Sequence, residues 1–386
     1  MLYRQFGKTG EKVSVLGFGC MRFPIIDQDT TKIDEEKAIE MMHFAIDRGL
    51  NYVDTAYPYH GLGGKEGGMS EPLVAKALKN GYREKVNLAT KLPSWLVETR
   101  QDMDMYLNRQ LERLETRYID FYLVHALDEA RWKKMLELGI IDFLESALKD
   151  GRIRYAGFSF HDKLETFKQI VDDYDWSFCQ IQYNYIDEEY QAGKEGLDYA
   201  VEKNLGIVIM EPLRGGNLVR SIPEAVQEVF DEAKEKKTPA KWALKWIWEQ
   251  PETHVVLSGM STLDQVKENM DIASTSYPNA FTEQEKSIMN RAKKIFRDRI
   301  QVDCTGCEYC MPCPYGVNIP RNFGLYNEYN LFDSKAIKDN QKEQYQHLDD
   351  EQKASACVAC GTCISKCPQN IAIPDKLSDV AKTLEA

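Results

Sequence analysis

The chain has 386 residues, 43% apolar and 28% charged, which excludes wholesale disorder and collagen-like architecture and exceeds what one hydrophobic core usually organises. Its 61 acidic against 49 basic residues leave a net charge of −12, with no compensating basic stripe, so a polyanionic partner such as nucleic acid is disfavoured. No run of about 20 apolar residues suggests a membrane span, and MLYRQFGKTGEKV at the N-terminus lacks an apolar signal core; a soluble, cytoplasmic protein is expected.

In chain order, VSVLGFGC (13–20) reads as a buried strand, and DEEKAIEMMHFAIDRG (34–49) has helical apolar spacing with a glycine stop. Further strands are predicted at NYVDTA (51–56), VNLATKL (86–92), YIDFYLVHAL (118–127), IRYAGFSF (153–160), FCQIQYN (178–184), GIVIMEPL (206–213) and THVVLSGM (253–260). Helical patterns near 70–80, 98–114, 132–150, 162–173, 187–204, 238–250 and 262–271 separate them. Strict alternation of this kind over about 250 residues predicts a closed (β/α)8 TIM barrel. An open doubly wound sheet is the runner-up, weakened because no GxGxxG follows the first strand. FTEQEKSIMNRAKKIFRD (281–298) predicts a helix closing the barrel, so the boundary is placed near 298, with a small domain over 299–386.

Barrel active sites sit at the C-terminal ends of the strands. Asp54 ends the second strand, Tyr59 follows in its loop, Lys91 ends the third strand and His125 the fourth. A phenol can protonate a carbonyl oxygen near neutral pH if a cation lowers its pKa from about 10, and Lys91 is the expected cation. Asp54 then holds Lys91 charged, and His125 hydrogen-bonds the substrate oxygen. Singly, each residue has a duller reading, as a cap, a solvated strand end or a core histidine.

The ordered motifs NYVDTAYPYH, MSEPLVAKAL, LATKL and YLVH resemble the aldo-keto reductases over about residues 1–298. The resemblance implies the catalytic tetrad Asp54, Tyr59, Lys91 and His125, with Tyr59 rather than Tyr57 as the acid. It also implies hydride transfer between a nicotinamide and a small carbonyl or alcohol substrate, and an extended cofactor that needs no Rossmann fingerprint. Ser159 in GFSFHD and Gln182 in QIQYN resemble the carboxamide contacts, with Phe160 where an asparagine is usual. Met210 stands where many relatives stack an aromatic ring, followed by Pro212, Leu213, Arg214, Gly215 and Gly216 as a pyrophosphate loop. Gly259, Ser261, Thr262, Gln265, Glu268 and Asn269 resemble the adenosine end. NADP(H) is favoured and NAD(H) stays open, because Gly259 and Gln265 occupy positions where NADPH-preferring relatives carry lysine and arginine. The loop HGLGGKEGGM (60–69) is expected to act as a lid, a substrate-side loop or a plain connector.

Of ten cysteines, Cys20 and Cys179 read as small buried hydrophobes. The others form two runs: Cys304, Cys307, Cys310 and Cys313 before Pro314, and Cys357, Cys360, Cys363 and Cys367 before Pro368. The second run is the C-x2-C-x2-C-x3-C-P pattern of bacterial ferredoxins, in which the fourth thiolate ligates the other cluster. Cys304, Cys307, Cys310 and Cys367 are thus expected on one [4Fe-4S] cluster, and Cys357, Cys360, Cys363 and Cys313 on a second. The shorter last step of the first run leaves a single cluster open, and structural zinc is the alternative. The tail is read as a cysteine-rich, ferredoxin-like α+β domain serving structure, sensing or electron transfer, the last through an electron-transfer flavoprotein that would divide the hydride pair. A non-enzymatic alternative is an NADPH-binding redox sensor or relay acting through a partner.

Overall fold

The strand runs are apolar at consecutive positions, the pattern of strands covered on both faces. The computed structural model describes residues 1–62, 65–304, 306, 309–367 and 369–386. An N-terminal hairpin, β1 (Tyr3–Gln5) and β2 (Lys12–Ser14), is followed by a closed parallel barrel. Its strands are β3 (Leu16–Gly19), β4 (Tyr52–Asp54), β5 (Asn87–Leu92), β6 (Ile119–Leu127), β7 (Ile153–Phe160), β8 (Phe178–Gln182), β9 (Gly206–Met210) and β10 (Val255–Gly259). They pair in sequence order and β10 closes on β3, so the TIM barrel stands and the open sheet does not.

Side chains alternate along each strand, so residues two apart share the barrel interior. At the floor lie Phe6, Tyr52, Ala89, Phe121, Phe178, Val208, Val255 and Leu257. Phe6 comes from the hairpin and meets Phe121 edge-on, ring centroids 5.0 Å apart, while Phe121 meets Phe178 at 5.2 Å. Gly206 makes room for this stopper: a Cβ there would sit 2.7 Å from the Phe6 ring. Emptying the position with Phe6→Ala removes a wholly buried ring and costs about 3–5 kcal/mol. One interior repeat above this floor come Asp54 on β4 and Lys91 on β5, at the mouth end of the barrel.

The helices begin where caps are available. Asp34 accepts from the Lys37 amide, and Thr99 forms a capping box with Asp102 at the start of Arg100–Arg113. The single helix expected over 132–150 is instead two, Glu129–Glu137 and Ile140–Lys149, because Gly139 adopts φ +79° between them.

The chain divides into residues 1–215 with 240–280, and residues 216–239 with 281–386. The helix Glu283–Asp298 therefore groups with the second unit rather than with the barrel, and the division falls near 281. It is bound there to the excursion 216–239: Arg291 pairs with Glu232, and Lys237, almost wholly buried, pairs with Glu285 at 2.6 Å. The second unit continues through helices Ile319–Leu331, Lys335–Gln346 and Ile373–Leu384. Its core gathers Val317, Phe323, Tyr345, Leu377 and Val380. Among the described residues it contains no strand, because cysteine, glycine and proline recur too often for an alternating run. No helix among the described residues is long and apolar enough to cross a membrane.

Candidate active site

Lys91 is wholly buried at the barrel mouth. Its Nζ donates to Asp54 Oδ1 at 2.7 Å, to the Thr55 carbonyl at 2.8 Å and to Tyr59 Oη at 3.2 Å. Three acceptors use all three ammonium protons. Burial works against the charged form of Lys91, but Asp54 and Tyr59 outweigh it and its pKa is raised. Burial pushes the Asp54 carboxyl up while Lys91 opposes it.

The Tyr59 phenol is also raised on balance, burial exceeding the opposing pull of Lys91. Lys91 does pull the phenol down, as the sequence suggests, but burial outweighs that pull. His125 lies across from Tyr59, centroids 6.2 Å apart, and against Trp95 at 5.1 Å. Burial, then Lys91, His161 and Arg131, hold its imidazole well below the usual range, so it is neutral. Among the described residues its buried Nδ1 has no partner, and Tyr59 and His125 are half-buried.

Tyr57 is excluded from this group by packing. It is buried, and its hydroxyl donates to the Lys65 carbonyl at 2.6 Å. Gly63 and Gly64 lie outside the described residues; the later part of that loop is pinned, with Arg109 donating to Lys65 O at 3.1 Å and Gly68 N to Tyr57 O at 2.8 Å.

On the cofactor side the predicted residues divide. Ser159 is buried on β7 and its Oγ accepts from the Ala126 amide at 2.7 Å; Phe160 beside it is buried. Gln182 is engaged, its amide donating to Asp187 at 3.2 Å. Gln180, which sequence reasoning passed over, lies opposite Ser159 in the register, and its buried Oε1 has no partner among the described residues. Its Nε2 lies 3.4 Å from the Met210 sulfur. A buried, unpaired amide oxygen is costly unless a ligand satisfies it, so the site fits a carboxamide-bearing cofactor. Strand periodicity points Gln180 and Gln182 the same way, and this signal was available in the sequence.

Pro212 is buried, Leu213 is half-buried, and Arg214 lies 3.5 Å from Asp187. Gly216, at φ +95°, begins the excursion that belongs to the second unit. Gly259 ends β10 with the Arg22 stem over it; a Cβ would meet Arg22 Cγ at 2.6 Å. Ser261 Oγ donates to Arg22 O at 2.8 Å, and Thr262 caps the helix Leu263–Ser274. Ser261 and Gln265 are exposed and Glu268 is half-buried. Asn269, expected to face adenine, is instead buried with its amide on Ser258 Oγ at 3.0 Å.

In the second unit Cys313, Cys357, Cys360 and Cys363 line one narrow pocket, together with Tyr315, Val358 and Leu377. Cys304, Cys310 and Cys367 pack on the same apolar core, and Cys307 lies outside the described residues. A zinc ion draws its thiolates to about 2.3 Å. Among the described residues no three such ligands are close enough to hold a single ion. Four cysteines on one pocket, three of them from the C-x2-C-x2-C-x3-C-P run, are the donor set that an iron–sulfur cluster takes.

Comparison with known proteins matches residues 15–289 to the aldo/keto reductase family and residues 303–372 to a 4Fe-4S dicluster domain. An uncharacterized oxidoreductase of Bacillus subtilis is 27% identical over 333 residues, covering 77% of this chain and 96% of that protein. The versiconal hemiacetal acetate reductase of Aspergillus parasiticus is 26% identical over 326 residues, covering 69% and 91%. Among solved structures, the holo form of an aldo-keto reductase from Bacillus halodurans is 27% identical with a TM-score of 0.62, covering 76% of this chain and 96% of that one. The chain belongs to the aldo/keto reductase family of oxidoreductases and carries a 4Fe-4S dicluster domain C-terminal to it in sequence.

Proposed function

We propose that this chain reduces a small carbonyl compound, or oxidises the matching alcohol, with Tyr59 as the acid–base group. The observation that carries this reading is Lys91 Nζ within hydrogen-bond reach of both Asp54 and Tyr59. A nicotinamide supplies the hydride when bound. As the carbonyl carbon gains that electron pair, the C=O π bond breaks toward oxygen, and Tyr59 Oη gives the oxygen its proton. Lys91 stabilises the phenolate left behind, Asp54 keeps Lys91 oriented, and neutral His125 donates a hydrogen bond to the same oxygen. Ser159 and Gln180 are the residues we assign to the carboxamide, Gln180 replacing Gln182. NADP(H) is favoured, supported by Arg22 beside Gly259 and Ser261; NAD(H) is the alternative.

The test is Tyr59→Phe. Loss of roughly 10²–10⁴-fold in kcat for a simple aldehyde is expected, and near-wild-type turnover would sink the assignment.

For the tail we propose crossed ligation, with two [4Fe-4S] clusters. Exposure of Cys360, against the cover of Cys310, supports electron exchange with a partner such as a flavoprotein over pure stapling. Anaerobic addition of NADPH alone should leave the cluster absorbance unchanged until that partner is added; immediate bleaching would mean a direct route within the chain.

A further inference from the structure

One buried carboxylate, Glu71, stands behind both members of the Lys91–Tyr59 pair. It is fully buried at the start of the helix Ser70–Ala77, outside the barrel wall. Glu71 Oε1 accepts from Thr90 Oγ1 and from Gln110 Nε2, each at 2.8 Å. Gln110 Nε2 also donates to the Lys91 carbonyl at 3.0 Å, so the Thr90 side chain and the Lys91 backbone are both held from behind. The other oxygen, Oε2, accepts from Arg113 Nε at 2.8 Å, and Arg113 passes its terminal nitrogen to the Gly68 carbonyl.

Gly68 opens a short backbone zipper against the segment carrying the acid. Gly68 N donates to Tyr57 O at 2.8 Å, Met69 N to His60 O at 3.0 Å and Ser70 N to Tyr59 O at 3.2 Å. The approach is close enough that a Cβ on Gly68 would lie 2.0 Å from the Tyr59 carbonyl oxygen. Ser70 Oγ then reaches Thr55 Oγ1 at 2.8 Å, and the Thr55 carbonyl is one of the three acceptors of Lys91.

We infer that Glu71 and Arg113 are positioning residues that hold the Tyr59 backbone at its working distance from Lys91, with Gly68 as the contact through which they act. This rests on the proposed role of Tyr59. Neither residue touches the reacting atoms; a group displaced by about 1 Å can nonetheless lose on the order of 10²-fold in rate. The groups that face the phenol are Lys91, Asp54, Cys20 and His125. The zipper sets the phenol's distance from all of them; Lys91 is the strongest of the charged influences and the one that favours the phenolate, so a longer separation raises the phenol's pKa.

The experiment uses the full chain with NADPH and a simple aldehyde, on Arg113→Ala, Arg113→Lys and Gly68→Ala. Arg113→Ala and Gly68→Ala should each lower kcat about 10- to 100-fold, move the alkaline fall of kcat to higher pH, and leave NADPH Kd by tryptophan quenching within about twofold. Arg113→Lys should restore part of kcat. Unchanged kcat and pH profile in Gly68→Ala, with or without a lower Tm, would overturn the inference; so would an equal loss of NADPH affinity. Should Arg113→Ala fail to fold, Arg113→Lys and Gly68→Ala decide it. If Tyr59→Phe itself retains turnover, the proposed function fails instead, and the two failures are thus separable.

Discussion

Lys91 Nζ meets Tyr59 twice, 3.2 Å from its hydroxyl oxygen and 4.8 Å from the centre of its ring. The two distances together place the cation beside the oxygen end of the ring, where it favours the phenolate over the neutral phenol.

Lys91→Met should abolish measurable carbonyl reduction and leave Asp54 buried without a counter-ion. Breaking such a pair costs about 3–5 kcal/mol at neutral pH. The cost should shrink on acidification, because burial already raises the Asp54 pKa and a proton can replace the lost cation. Urea unfolding of the variant and the parent at pH 7.5 and 5.5 checks both parts.

Below the barrel floor, His254 accepts from the Ile207 amide at 3.0 Å, and burial, with a smaller contribution from Arg4, lowers its pKa to about 4. Above its ordinary value near 6.5 the folded and unfolded chains are both unprotonated there. Between 6.5 and 4 the unfolded chain binds a proton that the folded chain refuses, so stability falls as pH falls, by on the order of 3 kcal/mol over that window. His254→Asn keeps an acceptor without a titrating ring. It should flatten the acid side of the barrel's stability profile, and equal slopes for variant and parent in urea titrations would refute this.

The unpartnered Gln180 oxygen predicts a specific loss on binding. Gln180→Leu should weaken nicotinamide affinity by about 1–3 kcal/mol, roughly 5- to 150-fold, with little effect on folding. Gln182→Leu should instead release Asp187, and hence Arg214, with the larger effect on the phosphate end. Comparing Kd values for the whole cofactor and for a nicotinamide mononucleotide fragment separates the two.

Crossed ligation predicts which cysteines act together. Cys313→Ser and Cys360→Ser should perturb the same EPR signal of the reduced protein, while Cys310→Ser perturbs another. A Cys313 change that follows Cys310 instead would mean that each run holds its own cluster. Removal of iron by chelation should loosen the loops around Cys357–Cys363 while leaving the barrel's far-ultraviolet dichroism in place, since no cysteine of either run belongs to the barrel unit.

Much of the barrel was legible because its signal is local: apolar runs, turn residues and the termini of strands give the order of the elements and put Asp54, Lys91 and His125 at the mouth. What escaped is set by tertiary packing. The depth of Gln180 against Gln182 depends on barrel stagger, which period-two alternation cannot report. Asn269 carries the right chemistry for a ligand but turns inward to Ser258, a choice made by packing. The short helix Glu224–Phe230, unmarked in the sequence reading, exists as part of the excursion held by Glu283–Asp298, a long-range pairing. The net rise of the Tyr59 pKa likewise reflects burial, which a motif does not encode.

The aromatic stopper formed by Phe6, Tyr52, Phe121 and Phe178 fills the barrel one interior repeat beneath Asp54 and Lys91. That buried ion pair is thus backed by hydrocarbon rather than water, and the far end of the barrel gives it a dry wall.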